Sequence, residues 1–310
     1  MGSISPGSSA AHAILVPEVE SHMLKRSVTA ASGAPPIHTL EWLPFYRRPF
    51  GEYICDTLPS NLLVFHLVAT GFITGILDAT TFVEFGTFTS NQTGNTVLLG
   101  VLALGLGDQQ YKNRLVDTAV SLSSFLIAAF ICGQIANHIH PGHGRARWWI
   151  LMSSFYQTAT ILITAGLLFG KAITTGRQWS WLVILLLASS SGSQVAMARQ
   201  FSIPEIPTAM LTSPLVDLVT DPHLFSTSFH KAHDNPRSRR VSYIVALVVG
   251  VFLGAGIHKH AGPEVVILIA GCMKLVILLS FLVTASEAEH EERARAEREQ
   301  VEATVQAASP

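Results

Sequence analysis

The sequence predicts an all-α polytopic membrane protein, with about six full transmembrane helices and two short half-helices in two internal repeats. Of its 310 residues, 49% are hydrophobic and only 13% are charged, whereas soluble proteins carry about 25% charged residues. The apolar residues also form blocks of about 20, the length of a helix that crosses a bilayer. Polar breaks interrupt this pattern twice, which predicts the half-helices.

Composition also excludes several classes of function. The net charge of −1 provides no basic field for nucleic acid. The apolar blocks make the lipid bilayer the predicted partner, and the sequence leaves the oligomeric state open. Three cysteines do not form a disulfide framework. The chain contains no P-loop, no G-x-S-x-G and no H-E-x-x-H, so we expect neither an enzyme nor a bound cofactor.

The two ends differ from the middle of the chain. Residues 1–40 are rich in Ser, Ala, Pro and Gly, which is typical of a disordered terminus. Residues 41–60 mix aromatic and arginine side chains, which suits a membrane interface, although a solvated linker is the alternative. Residues 285–310 alternate Glu, Arg and Ala, which predicts a charged, solvated helix.

The middle of the chain, 61–284, is the predicted transmembrane domain. Six blocks have the length of full spans: 61–86, 115–138, 148–170, 179–198, 241–258 and 263–284. The apolar pieces 96–107 and 206–219 would be roughly 18–21 Å long as helices, short of a hydrocarbon core of about 30 Å. We predict half-helices or re-entrant segments there, and a tilted eight-span model remains open.

Charge distribution predicts the orientation. Lys and Arg concentrate in the loops that share a side with both termini, which favours cytoplasmic termini. The first 60 residues lack the short apolar core of a cleavable signal peptide, so we expect the first span to act as an uncleaved insertion signal. Neither feature distinguishes the plasma membrane from an organelle membrane.

The two halves, about 61–170 and 179–284, resemble each other at a spacing of about 120 residues. Thr93-Gly94-Asn95 matches Thr212-Ser213-Pro214 in position, and Asp78 corresponds to Gln194. If the short pieces re-enter, each repeat has three spans and the halves are inverted, as in many secondary transporters. If they cross fully, the repeats are parallel. Shared apolar composition is the alternative explanation.

These same residues resemble a known family. The Gly71-Phe72 to Asp78 span, the Ser-Asn-Gln-Thr-Gly-Asn motif at 90–95, and Ser193-Gln194 with Thr212 are similar to the bacterial YoaK-like membrane family. This family is catalogued as domain of unknown function 1275, and the chain looks like a longer, eukaryote-type form of it. The resemblance covers roughly residues 60–284 and implies about six to seven spans. It implies no particular activity, and Thr212-Ser213-Pro214 lacks the glycine that follows the first threonine motif.

Carboxylates and amides inside apolar segments are the candidate site residues. Asp78 is interpreted as a proton- or cation-coupling group, or else as a carboxylate that caps or hydrogen-bonds the polar break. The residues of the break itself are expected to contact a ligand through an exposed helix start: Asn91, Gln92, Thr93, Gly94 and Asn95. The alternative is capping alone, by Thr93 or Asn95.

The second half carries the other candidates, Gln194, Thr212 and Lys274. Gln194 follows a run of small residues that suits close helix packing. Lys274 lies in the middle of the last span, where we expect it to pair with Asp78 or Glu84. Histidines 138, 140 and 143 could hold a metal, but solvated loop residues are the favoured interpretation, so no metal site is predicted.

The leading hypothesis is a secondary transporter or channel-like protein for a small polar solute or ion. The alternative is a non-transporting membrane scaffold or regulator, in which the polar residues only hold helices together. An intramembrane enzyme lacks a recognisable nucleophile and base.

Overall fold

The computed structural model describes residues 50–106, 112–139, 144–171, 179–222 and 235–287, with residues 295, 298 and 299. The predicted disordered terminus 1–40 and most of the charged tail lie outside the described residues. The helices of the described part are α1 Phe50–Cys55, α2 Ser60–Phe85, α3 Gln92–Ala103, α4 Lys112–Ile139, α5 Arg147–Phe169, α6 Ser180–Gln200, α7 Thr212–Val219, α8 Pro236–Ala261 and α9 Pro263–Val283.

Six of these helices, α2, α4, α5, α6, α8 and α9, are long and apolar enough to cross a membrane. This confirms the predicted all-α polytopic architecture. Helices α3 and α7 have 12 and 8 residues, or about 18 and 12 Å. Both are too short for a hydrocarbon core of about 30 Å. They are the predicted half-helices, and a model with eight full spans does not fit their lengths.

Three helix starts differ by four to six residues from those predicted. Helix α3 begins at Gln92, so residues 92–95 of the expected polar break are helical. Helix α7 begins only at Thr212, and residues 206–211 are not helical. Helix α8 begins at Pro236 rather than at 241, because the Asn235 side chain accepts a hydrogen bond from Arg237 N and proline suits the first helical turn.

The spanning helices pack in three main pairs, α2 with α8, α4 with α6, and α5 with α9. Glycines allow two of these pairs to come close. A Cβ added to Gly75 on α2 would lie 2.3 Å from the Leu247 carbonyl oxygen on α8. A Cβ added to Gly192 on α6 would lie 2.2 Å from the Phe125 carbonyl oxygen on α4. Small residues are the usual means by which membrane helices reach backbone contact.

Helices α2 and α6 are the most enclosed, with 61% and 67% of their most apolar windows buried. Helices α4 and α8 are outermost, at 22% each. A cluster of buried aliphatic side chains joins the inner helices α2, α5, α6 and α9, and includes Ile73, Ile161, Ile184 and Ile267. The polar breaks therefore follow the two central helices of the bundle.

A buried arginine joins the segment before the first span to the bundle. Arg147, at the start of α5, donates to Tyr53 Oη and Phe281 O at 2.8 Å and to Thr284 O at 2.7 Å. The Tyr53 ring on α1 lies 4.0 Å from the guanidinium carbon. The C-terminal end of α9 leaves carbonyl oxygens without helical partners, and Arg147 satisfies those of Phe281 and Thr284.

Candidate functional site

The first break consists of residues 86–91, between α2 and α3. Asp78 holds it through hydrogen bonds. Helix α2 ends at Phe85, and Gly86, with φ 66°, terminates it in the left-handed conformation. The chain then turns back by about two turns of α2, or about 10 Å. There Asp78 Oδ1 accepts from Thr89 N (3.0 Å), Thr89 Oγ1 (3.0 Å) and Ser90 N (2.9 Å), and Oδ2 accepts from Ser90 Oγ (2.5 Å). Helix α3 consequently begins at the depth of Asp78.

Asn95 ties this break to α4. Its side chain is completely buried, and Oδ1 accepts from Thr87 Oγ1 (2.9 Å) and Phe88 N (3.0 Å). Nδ2 donates to Phe88 O (2.7 Å), Gln92 Oε1 (2.9 Å) and Ser121 Oγ (3.0 Å). Ser121, on α4, donates in turn to Phe88 O at 2.6 Å. Asn95 and Gln92 therefore use their amides to hold the break rather than to face a ligand.

The cap of α3 differs from both predicted caps. Asn91, not Thr93 or Asn95, is the capping residue, and its Oδ1 accepts from Gly94 N at 3.1 Å. The reason is that α3 starts at Gln92, so Thr93 and Asn95 already lie within the first helical turn.

The second break consists of residues 201–211, between α6 and α7. It turns back towards α6, as the first break turns back towards α2. Gln194, about two turns before the end of α6, donates through Nε2 to Thr208 O at 3.5 Å. Tyr243 on α8 donates to Met210 O at 2.9 Å. Thr208 has φ 62°, which is rare for a β-branched residue and costs about 1–3 kcal/mol. Its hydroxyl is buried without a hydrogen-bond partner.

A cavity of about 840 Å³ lies between the two breaks. Five predicted site residues line it: Asp78, Asn91, Thr93, Gly94 and Thr212. Ser213, on α7, and Met210, in the second break, also line the cavity. The structure thus brings both halves of the predicted site to one space, which neither half forms alone.

Four predicted residues lie outside the lining of this cavity: Gln92, Asn95, Gln194 and Lys274. Gln194 reaches it indirectly, because its Nε2 donates to Thr74 Oγ1 at 2.9 Å and Thr74 lines the cavity one turn before Asp78. Gln194 therefore links the cavity wall to the centre of the bundle.

Lys274 is buried at that centre. Its ammonium donates to Gln157 Oε1 at 2.7 Å and to Gln194 Oε1 at 2.8 Å. The predicted ion pair with Asp78 or Glu84 was wrong. The facing helices α5 and α6 present amide oxygens to the lysine instead.

The two carboxylates have other partners. Asp78 accepts from the break, as described above, and Glu84 lies near the end of α2, where Oε2 is 3.7 Å from His258 Nε2. Glu84 is thus held at the periphery of the bundle, away from the central lysine.

Sequence reasoning missed three polar residues of this region: Thr74, Ser153 and Gln157. Gln157 Nε2 donates to Ser153 Oγ at 3.1 Å, and Ser153 Oγ is 3.0 Å from Ser193 Oγ. An amide in the middle of the predicted span 148–170 was the available signal for Gln157. Thr74 had no such signal, because threonines are common in membrane helices.

The described residues contain no group of three or more metal-binding side chains. Of the three histidines considered for a metal, His138 has its Nδ1 2.9 Å from Gln134 O. Histidines 140 and 143 lie outside the described residues.

Six apolar helices of spanning length and two half-helices define a multi-pass integral membrane protein. The family model described as protein of unknown function (DUF1275) matches residues 66–280, and the chain belongs to this family. It is also similar to the UPF0700 transmembrane protein YoaK of Bacillus subtilis (strain 168), with 28% identity over 151 residues. That match covers 47% of this chain and 61% of the relative, less than two thirds of its length. No solved structure matches the chain.

Proposed function

We propose that this chain is a secondary transporter or channel-like protein for a small polar solute or ion, and that the solute passes through the cavity between the breaks. The observation that carries the proposal is the cavity of about 840 Å³, which is lined by both breaks. A carboxylate inside a membrane domain is costly and usually marks a pathway. Asp78 is then the residue that coordinates or couples the solute.

The proposal includes two inverted repeats, about 61–170 and 179–284. Helices α2–α5 and α6–α9 both follow the order long, short, long, long. With three full spans in each half, the second half crosses the membrane in the opposite sense. The first long helix of each half also packs against the second long helix of the other, as α2 with α8 and α6 with α4.

Hydrogen bonds of the two breaks support the repeat as well. In each half, a side chain on the first long helix bonds the returning chain, and a hydroxyl on the second long helix donates to a carbonyl of the break. The first kind of bond joins Asp78 to Ser90 and Gln194 to Thr208, and the second joins Ser121 to Phe88 and Tyr243 to Met210. Half-helices that begin near a midplane site are a recurring feature of secondary transporters.

Both termini are proposed to be cytoplasmic, because Lys and Arg are concentrated on their side of the membrane. A peptide tag fused to the C-terminus tests this point. We expect antibody to bind the tag only after permeabilisation of intact cells or sealed cytoplasmic-side-in vesicles. Binding before permeabilisation contradicts the orientation.

A scaffold without transport is the second candidate, and one observation favours it. Asp78 accepts four hydrogen bonds from its own break, and Asn95 is equally committed to internal contacts. Holding the fold would account for both residues. A scaffold does not require the cavity, so access to the cavity discriminates between the candidates.

Cysteine labelling measures that access. We replace the three native cysteines by serine, introduce Thr93→Cys or Ser213→Cys, and treat sealed vesicles with a charged, membrane-impermeant methanethiosulfonate. We expect rapid labelling of both cavity positions from one side of the membrane. Thr164→Cys is the control, because Thr164 is completely buried in α5 and should stay unlabelled.

Transport is measured in proteoliposomes with radiolabelled sodium, methylammonium and glycine. A transporter predicts uptake of at least one probe above empty liposomes, and Asp78→Asn should lower that uptake. The scaffold predicts protected thiols at 93 and 213 and no protein-dependent uptake. That combined result contradicts the transport proposal.

A further inference from the structure

The cavity between the breaks has an uneven distribution of charge. Its lining includes two carboxylates, Asp78 and Asp217, and no Lys, Arg or His side chain among the described residues that line it. Asp217 Oδ2 lies 3.9 Å from Arg240 Nε at the edge of the bundle, so its charge is balanced. The four donors to Asp78 are two hydroxyls and two backbone N–H groups. These donors are neutral, so the site as a whole favours positive charge.

Asp78 retains the capacity to bind a ligand. A carboxylate offers about four lone-pair positions, two on each oxygen. Oδ1 carries three of the observed hydrogen bonds, whereas Oδ2 carries only that of Ser90. An ammonium group with N–H donors can therefore add a charge-assisted hydrogen bond at Oδ2, and such bonds are stronger than neutral ones.

Another part of the lining is aromatic and aliphatic. The Phe82 and Phe88 rings stack with centroids 4.7 Å apart and planes 13° apart, and both line the cavity. Leu247, Val251 and Val216 complete the apolar wall. An aromatic face attracts a cation as well as an apolar body.

The volume selects among cations. A bare metal ion needs a tight shell of oxygen ligands at about 2.0–2.6 Å, and a space of about 840 Å³ is far larger than that shell. Pockets of about 300–1,000 Å³ are instead typical of organic ligands. Carboxylate, stacked rings and volume all fit one chemical class.

We propose that this cavity binds an amphipathic organic cation, with its ammonium group at Asp78 and its apolar body against Phe82 and Phe88. The inference rests on the proposed function, because the site is the same cavity, and it adds the class of solute. Thr93, Thr212 and Ser213 also line the cavity, and their hydroxyls suit further N–H groups of the ligand.

Three probes of equal size and different charge test the proposal. They are 3-phenylpropylammonium, 3-phenylpropan-1-ol and 3-phenylpropanoate, which share the ring and the three-carbon chain. Binding to the full chain in lipid nanodiscs is measured by isothermal titration calorimetry, with empty nanodiscs as the blank for partition into lipid. We expect the ammonium to bind about tenfold more tightly than the alcohol, as one charge-assisted hydrogen bond allows, and the carboxylate to bind most weakly.

Two variants locate the ammonium and the ring. Asp78→Asn keeps an acceptor oxygen for the break but removes the charge, so we expect the ammonium to lose its tenfold advantage while the alcohol is unaffected. Phe82→Leu should weaken both of these probes, the ammonium more strongly. Asp221→Asn is the matched control, because Asp221 lies outside the lining of the cavity and pairs with Arg240, and we expect less than about a threefold change. Thermal unfolding of each variant confirms that it is folded.

The results separate this proposal from the transport proposal. Equal or stronger binding of the alcohol or the carboxylate overturns the cation class, and so does an ammonium advantage that survives Asp78→Asn. Absence of binding by all three probes also overturns it. In each case, labelling of Thr93→Cys and uptake in proteoliposomes still decide whether the cavity is a transport site.

Discussion

The two breaks in this bundle are similar in path but different in chemistry. The first, after α2, is held by a carboxylate with four hydrogen bonds and by a buried amide with five. The second, after α6, is held on α6 by the neutral amide of Gln194, whose bond to Thr208 O is long at 3.5 Å. It also contains a β-branched residue at positive φ and a buried hydroxyl without a partner.

This difference indicates which break is the more easily rearranged. The side chains of Asp78 and Asn95 make nine hydrogen bonds at the first break, so the first break has a well-determined shape. The second break stores backbone strain at Thr208 and has weaker restraints. If the cavity opens and closes during function, we expect the second break to move and the first to act as its fixed wall.

The largest expected effect is that of Asp78→Ala. The substitution leaves the N–H groups of Thr89 and Ser90 without their acceptor, and each buried unsatisfied donor costs about 1–3 kcal/mol. We therefore expect a loss of at least about 3 kcal/mol in the free energy of unfolding, measured by denaturant titration in detergent micelles. Asp78→Asn, which keeps an acceptor oxygen, should lose much less. Equal losses in the two variants would contradict the role of the carboxyl group in holding the break.

The next effect is that of Gln194→Leu in the second half. The change removes one acceptor from the Lys274 ammonium and both donations of the Gln194 amide, so we expect a loss of about 1.5–3 kcal/mol. A double-mutant cycle with Lys274→Met should give a coupling energy of at least about 1 kcal/mol. The same cycle between Asp78→Asn and Lys274→Met should give none, because the Lys274 ammonium donates to Gln157 and Gln194 and Asp78 accepts from the first break. Coupling in the second cycle alone would support the ion pair between Asp78 and Lys274 that the sequence predicted, and would contradict the observed partners of Lys274.

Gly75→Ala and Gly192→Ala compare two close helix contacts, that of α2 with α8 and that of α6 with α4. Each added Cβ meets a backbone oxygen at 2.3 or 2.2 Å, so the paired helices must separate, at a cost of roughly 1–3 kcal/mol each. Gly133→Ala is the control, since nothing lies within 4 Å of its Cβ position. In that open position alanine should be neutral or slightly stabilising. Very different losses at 75 and 192 would count against the repeat.

The smallest effect is that of Thr208→Gly. Glycine adopts positive φ without strain, and the change also removes the unpartnered hydroxyl. We expect a gain of about 1 kcal/mol or less, because the flexible unfolded chain offsets part of the relief. Thr87→Gly in the first break is the matched control. The Thr87 hydroxyl bonds Asn95 Oδ1, so its loss should destabilise. A destabilised Thr208→Gly variant would show that the second break is not the strained one.

Much of the fold could be predicted because membrane insertion depends on local composition. Apolar blocks such as 61–86 and 148–170 differ by only one residue at each end from α2 and α5. The half-helices were recognisable from the same pattern, since Asn91 to Asn95 and the proline-rich stretch before Thr212 interrupt apolar sequence. Their starting points were not predictable: α3 begins after Asn91, whose side chain caps it, and α7 begins at Thr212 without a side-chain cap.

The sequence predicted several residues of the candidate site, but it did not predict the contacts that these residues make. Asp78, Thr93 and Thr212 are conspicuous because polar groups are expensive in apolar segments. Sequence alone paired Lys274 with an acid, on the ground that opposite charges attract. The partners of a buried ammonium depend on which helix faces it, and that information lies in packing between distant parts of the chain.

By itself, the sequence determined that this is a membrane protein with six spans and two interrupted segments, and that the first span contains the carboxylate of Asp78. These properties follow from the cost of placing each residue in hydrocarbon, which is local to each segment. Only the tertiary structure decided that both breaks line one cavity, that Asp78 holds the first break, and that Lys274 binds Gln157 and Gln194. The contacts of Lys274 join residues 80 and 117 positions apart, and those of Asp78 join residues on opposite sides of a turn. Packing of whole helices selects them.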